Sequence, residues 1–282
     1  MKPLEHFLAW AETNATIRGV ILTGSRAGKS ASTDSLSDYD VAVFGNDFDF
    51  IKDDRWLSEI QEFWVCVLDR FELWGVEIPT RLVLFNDELK IDFSFHPTEI
   101  LNKIIANREL PDGLNTGYTI LLDKDNILSQ IKAPTFKGFS IKRPGEDDFR
   151  KNVDEFWFEV FHVAKYLSRN DLWAVKSRDN STKEWLLQML QWNQGSRREW
   201  DFSPKPQGKE MRGWVGIETW ERLHSCFGSF DSGNSWTALE ATIQLYREVA
   251  TETSRSLHYP YNQNLDSRIT KFIEKAKTGS PC

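Results

Sequence analysis

The chain has 282 residues, of which 40% are hydrophobic and 13% aromatic. That is enough apolar material for one large or two ordinary packed domains, and it excludes a disordered chain. The net charge of −7 and the lack of a basic run argue against a nucleic-acid groove and favour a small cationic substrate.

No apolar run approaches the ~20 residues that cross a bilayer, so no membrane partner is expected. The start, Met1 to His6, lacks the charged-then-apolar layout of a secretory signal. Cys66, Cys226 and Cys282 have no paired spacing, so neither a disulfide framework nor a zinc site follows. A cytoplasmic protein is expected.

Leu4, Phe7, Leu8 and Ala11 recur at helical spacing, so the first dozen residues form a short amphipathic helix. Ile17 to Leu22 is a β-branched and apolar run, a buried strand, and it ends at Thr23-Gly24-Ser25-Arg26. Gly24 has no Cβ and lets the backbone approach a ligand. Ser25 adds a hydroxyl and an amide N–H, so the corner can cradle phosphate oxygens. Arg26 is either a further phosphate contact or a solvated loop arginine. A polar loop follows to Ser37, and then Asp38 and Asp40 flank Tyr39 at the start of the apolar run Val41 to Phe44. Alternation puts both carboxylates on one side of a strand. At 4 Å and an effective dielectric near 20 their repulsion costs roughly 4 kcal/mol, which a cation between them offsets. Carboxylate oxygens suit Mg²⁺, as one ion or two, which leaves its other positions to water and phosphate. Gly-Ser, a gap and then Asp-x-Asp resembles the signature of the nucleotidyltransferase superfamily that includes polymerase β.

Asp53-Asp54 caps a predicted helix with the stripe Trp56, Ile60, Phe63, Val67 and Phe71, ending near Gly75. Thr80 to Phe85 and Leu89 to Phe95 are predicted strands of a hairpin, joined by Asn86-Asp87-Glu88. In the second, Leu89, Ile91, Phe93 and Phe95 face a core, while Lys90, Asp92, Ser94 and His96 face the other way. The superfamily pattern has its third carboxylate on such a strand, and Asp92 is the candidate, as metal ligand or proton acceptor. His96, before Pro97, reads as a strand end. Thr98 to Arg108 is a predicted helix capped by Thr98, and Tyr118 to Leu122 a strand. Ala133 to Gly145, with two prolines and two glycines, is the expected connection between domains 1–140 and 141–282.

The second half is helical. Phe149, Val153, Phe156, Val160, Ala164 and Leu167 form one stripe. Leu172 to Asn193 is a second helix with a candidate break at Asp179-Asn180-Ser181. Trp200 to Gly216 is a loop. Ile217 to Cys226, Trp236 to Leu257 and Asp266 to Lys277 complete the set.

Over most of its length the chain resembles the aminoglycoside 6-adenylyltransferases, also called streptomycin adenylyltransferases. The resemblance lies in Leu22 to Ser25, Ser37 to Val41, Lys90-Ile91-Asp92 and Asp123-Lys124-Asp125. In the helical half it continues through Glu155-Phe156-Trp157, Val163-Ala164-Lys165 with Leu167 and Arg169, Val215 to Glu218, Leu257-His258-Tyr259 and Ile269-Thr270-Lys271. It implies an α+β fold: a polymerase-β-like mixed sheet with helices, followed by a C-terminal helical bundle that takes substrate. It also implies transfer of AMP from ATP to a hydroxyl of streptomycin, conferring resistance; a monomer is expected. Asp38, Asp40 and Asp92 then map as metal ligands and catalytic residues, with Asp92 as the base of the family pattern. Gly24, Ser25, Arg26 and Lys165 map to the nucleotide. Glu155, Trp157 and Glu159 are candidate contacts to a cationic acceptor, although Trp157 equally fits a core position. The rival readings are a nucleotidyltransferase acting on another small molecule or a protein, and a catalytically silent relative that only holds nucleotide.

Overall fold

The computed structural model describes residues 2–28, 33–86, 88–107 and 109–278. Part of the 27–37 loop, Asp87 of the hairpin turn, Arg108 at the end of the third expected helix, and Cys282 lie outside them. The chain divides into two compact units, Met1–Phe139 and Ser140–Cys282.

In the first unit, helix α1 (Lys2–Thr13) is followed by strand β1 (Ile17–Thr23), a single 3-10 turn at Gly24–Arg26, and strand β2 (Tyr39–Gly45). Helix α2 (Arg55–Ile60) leads to strands β3 (Phe63–Leu73), β4 (Val76–Phe85) and β5 (Lys90–Pro97). Helices α3 (Thr98–Ala106) and α4 (Asp112–Asn115) and strand β6 (Thr119–Asp123) close the unit. The described strands form one sheet in the order β3-β4-β5-β2-β1-β6. It is mixed: β2 and β5 are parallel, and the other neighbours antiparallel.

Strand alternation gives this sheet two different faces. On one, Val41, Val43, Ile91, Phe93 and Phe95 bury against Leu4, Phe7 and Ala11 of α1 and Trp56 and Leu57 of α2. On the other, Ile21, Ala42 and Phe44 pack with Ile100, Leu101 and Ile104 of α3. Thr98 does not cap α3. Its hydroxyl donates to the Gly45 carbonyl at 3.3 Å, and Pro97 holds the cap position.

The helix expected from Trp56 to Phe71 is corrected by the structure. Only Arg55–Ile60 is helical, and Phe63–Leu73 is the edge strand, paired from Phe63↔Phe85 to Leu73↔Val76. Two local features outweigh the helical spacing. Phe63 to Leu68 is a dense aromatic and β-branched run that favours a strand. Trp74 and Gly75 both take positive φ, 51° and 78°, which makes the two-residue turn that matches strand twist. Gly75 is thus a hairpin tip rather than a helix stop. Because β3 lies at the edge, Trp64, Val67 and Leu68 stay exposed. Burial therefore could not report the true period.

The second unit consists of α5 (Glu146–Leu167), α6 (Leu172–Arg197), α7 (Ile217–Cys226), α8 (Ser232–Leu257) and α9 (Gln263–Thr278). The stripe from Phe149 to Leu167 is its core. Helix α6 runs unbroken through Asp179, whose carboxylate accepts a hydrogen bond from Lys183 one turn on, at 2.5 Å. Such an i,i+4 pair supports the helix where Asp, Asn and Ser would loosen it. Tyr246 stacks on Phe156 with ring centroids 3.4 Å apart, and its hydroxyl donates to Asn152 Oδ1 at 2.7 Å. All three are fully buried. Tyr246→Phe strands that acceptor and should lower stability by about 1–3 kcal/mol. Urea denaturation followed by far-UV circular dichroism checks it.

Cys66 and Cys226 are free thiols. Burial first, and Asp54 second, push the Cys66 thiol up to about 12, so it stays protonated and unreactive near neutral pH. Among the described residues no helix is long and apolar enough to cross a membrane.

Candidate active site

The site starts where β1 gives way to the Gly24–Arg26 turn. Thr23 pairs with Asp40 across the sheet, and the Thr23 hydroxyl donates to the Asp40 carbonyl at 3.3 Å. Gly24 has φ +69°, and a Cβ there would lie 1.9 Å from Asp40 Oδ2. The corner therefore needs glycine for two separate reasons: a left-handed backbone and close contact with a carboxylate. Ser25 is exposed beside it.

Arg26 turns back onto its own loop. Its Nε and Nη2 donate to the Ser37 carbonyl at 3.0 and 2.6 Å, Nη2 reaches the Asp34 carbonyl at 3.3 Å, and the guanidinium stacks 4.1 Å from the Tyr39 ring centroid. The structure thus gives Arg26 the work of closing the loop that delivers Asp38.

The parallel pairing of β2 with β5 sets Asp40 directly beside Asp92. Cross-strand partners point to the same face, so the two carboxylates share one side of the sheet. Asp38 lies just before β2 and joins them through a residue that pattern reading passed over. The Lys90 ammonium donates to Asp38 Oδ2 at 2.9 Å and to Asp92 Oδ2 at 2.6 Å. Burial alone would lower the pKa of this ammonium, and the two carboxylates outweigh that and raise it. The signal for Lys90 was its spacing: position i−2 from Asp92 on a strand is the same face.

Among the described residues no three carboxylate, histidine or cysteine groups stand as a ready metal cage. The donor chemistry still suits a hard divalent cation. Asp92 Oδ1 is buried without a hydrogen-bond partner, and the neighbouring charge is held by an ammonium. Asp38, Asp40 and Asp92 are the residues that would hold such an ion.

A cavity of about 950 Å³ opens on this same face, two steps along both strands from Asp40 and Asp92. Ala42, Phe44, Ser94 and His96 line its floor. Among the described lining residues the formally charged ones are acids: Glu72, Glu109 and Asp112. His96 stacks on Phe44 at 5.0 Å, its Nε2 lies 2.9 Å from the Ser94 hydroxyl, and its Nδ1 has no partner. Burial pushes its pKa down to about 4, so the ring is neutral at pH 7. The unfolded chain takes up this proton below pH 6.5, whereas the folded chain does so only near pH 4. Stability from His96 is therefore full above pH 6.5 and falls by about 3 kcal/mol as pH drops to 4. His96→Phe should flatten that part of the profile relative to wild type, as read from urea midpoints between pH 4 and 7.

The remaining candidates all lie on α5 in the helical unit. Glu155 and Lys165 are half-buried. Glu159 is buried and paired with Arg178 at 3.0 Å. Trp157 is a core residue, fully buried, and its indole N–H donates to the Tyr261 hydroxyl at 3.1 Å. The cation near its ring is the chain's own Arg247, 5.7 Å away and held on Asp266. Trp157 thus offers no face to a ligand. Gly24, Asp38, Asp40 and Asp92 are the predicted site residues that the fold brings together.

Residues 2–276 match the family model described as streptomycin adenylyltransferase. An aminoglycoside 6-adenylyltransferase of Campylobacter jejuni is 30% identical over 275 residues, spanning 96% of this chain and 93% of that protein. One of Bacillus subtilis is 29% identical over 277 residues, spanning 96% and 95%. A crystal structure of an aminoglycoside 6-adenyltransferase from Bacillus subtilis aligns over 97% of both chains, with 26% identity and a TM-score of 0.48.

Proposed function

Because the chain belongs to the streptomycin adenylyltransferase family, we propose that it transfers AMP from ATP to the 6-hydroxyl of streptomycin and so inactivates the antibiotic. It is an aminoglycoside adenylyltransferase, with ATP as co-substrate. The observation that carries the reading is the convergence of Asp38, Asp40 and Asp92 beside the Gly24 corner, on the sheet face that also holds the acid-lined cavity. The acids of the cavity lining suit a guanidinium-bearing acceptor better than a second anion.

In the proposed reaction the acceptor hydroxyl attacks the α-phosphorus, a new P–O bond forms, and the bond to pyrophosphate breaks in line. Asp92 takes the hydroxyl proton. The backbone at Gly24 and Ser25 meets the triphosphate, and Arg26 holds the Asp34 and Ser37 carbonyls so that Asp38 stays in place. A magnesium ion held by the three aspartates would polarise the α-phosphoryl oxygen and neutralise the leaving charge. Positioning and charge neutralisation supply most of the rate gain. In the helical unit, Glu155 and Lys165 enter the reading as acceptor and phosphate contacts on the family resemblance alone. The protein is proposed to work as a cytoplasmic monomer.

A silent nucleotide-binding relative has no use for carboxylates that repel one another. Screening acceptors with labelled ATP and Mg²⁺ tests the choice. Pyrophosphate release that requires both an aminoglycoside and Mg²⁺ is the expected result. Release with protein acceptors but none with aminoglycosides would replace this reading with the rival one.

A further inference from the structure

We propose that Lys90 is a built-in counter-ion that occupies the acidic site before metal arrives and gives way to it, so that divalent cation and nucleotide bind cooperatively. This rests on the reading of Asp38, Asp40 and Asp92 as a cation site.

The ammonium sits where a cation should. It spans Asp38 and Asp92 at 2.9 and 2.6 Å, from a side chain 35% exposed. It also leaves the group under-neutralised. Asp38 and Asp92 share this one ammonium, so the pair keeps a net charge of −1. Asp92 Oδ1 remains buried and unpartnered, so the lysine satisfies only one of that residue's two oxygens. A magnesium ion entering alone must push a hydrogen-bonded ammonium aside into poorer surroundings, which weakens its binding. A triphosphate changes the balance. Lysine is a compact charge on a flexible stem, and phosphate oxygens are good partners for it. Once nucleotide is present, Lys90 can leave the carboxylates for phosphate, and the cation takes its place at lower cost. The coupling is reciprocal, as any linkage between two ligands is. Lys90 is in this sense a positioning residue with a role in the order of binding.

The test is calorimetric titration of Mn²⁺, with and without an α,β-methylene analogue of ATP, on wild type, Lys90→Met and Lys90→Gln. In wild type the analogue should tighten Mn²⁺ binding about tenfold or more. In both variants Mn²⁺ alone should bind about tenfold tighter than in wild type, the analogue should bind more weakly, and the coupling between them should shrink. In EDTA the variants should melt below wild type and recover when Mn²⁺ is added. A lysine that only supported the fold would lower Mn²⁺ affinity or leave it unchanged, and either outcome overturns the proposal. The glutamine variant, which keeps a donor in place, serves if the methionine variant does not fold. Asp40→Asn separates the two levels. If wild type binds Mn²⁺ with the analogue and Asp40→Asn does not, the cation site stands whatever Lys90 does. If wild type binds no Mn²⁺ even with the analogue, the site reading and this proposal both fall.

Discussion

Asp40→Asn should lower kcat/KM for AMP transfer by about 10³-fold or more, which corresponds to roughly 4 kcal/mol of transition-state stabilisation. It should leave the melting temperature within about 3 °C of wild type. The change keeps the shape of the side chain and removes its charge. The backbone of Asp40 is held by the β1 and β5 pairings and by the Thr23 hydroxyl, none of which depends on that charge. Loss of one of two adjacent carboxylates also relieves repulsion with Asp92. On the proposed mechanism, what is lost is a hard anionic ligand for the cation at the reacting phosphate. Steady-state kinetics paired with differential scanning calorimetry reads both quantities. Near-normal turnover would remove Asp40 from the site.

Gly24→Ala should cost both stability and activity, by separable routes. A residue with a Cβ at φ +69° pays about 1–2 kcal/mol for the left-handed backbone. The new methyl would also meet Asp40 Oδ2 at 1.9 Å and Asp40 Cγ at 2.7 Å, far inside contact distance. Either the corner or the Asp40 side chain has to move. A shift of about 1 Å in a positioned group can cost about 10²-fold in rate, and that is the loss expected here. A double-mutant cycle isolates the clash. Combining Gly24→Ala with Asp40→Ala removes the colliding carboxylate, so the pair should be more stable than the two single losses summed, while activity stays absent. Strict additivity in unfolding free energy would mean that Gly24 and Asp40 do not touch as described.

Much of this site was legible in the sequence because it depends on local pattern. The Ile17 to Leu22 run and the Gly24-Ser25 turn announced a strand and its corner. The alternation of Lys90 to His96 showed which residues turn away from the core. The parallel pairing of Asp40 with Asp92 was not legible, because it joins strands that are far apart in sequence and no local feature encodes that register. Helix and strand were confused at Phe63 to Phe71 for a related reason. An edge strand leaves most of its side chains exposed, so its apolar residues can fall at helical spacing without being buried. Trp157 shows the limit on the helical side. It stands next to Phe156 of the buried stripe, and its indole N–H meets the Tyr261 hydroxyl, which comes from the connection between α8 and α9. Lys90 was visible as a face-mate of Asp92, but its link to Asp38 is tertiary. The same holds for Arg26, whose partners Asp34 and Ser37 are set by how the loop folds back.

Incubating the protein with ATP, Mg²⁺ and streptomycin, and weighing the antibiotic by mass spectrometry, tests the central assignment directly. Streptomycin should gain the mass of one adenylyl group, with an equal amount of pyrophosphate released, and Asp92→Asn should leave it unmodified. Unaltered streptomycin after incubation with folded wild-type protein that demonstrably binds ATP and Mg²⁺ would contradict the assignment.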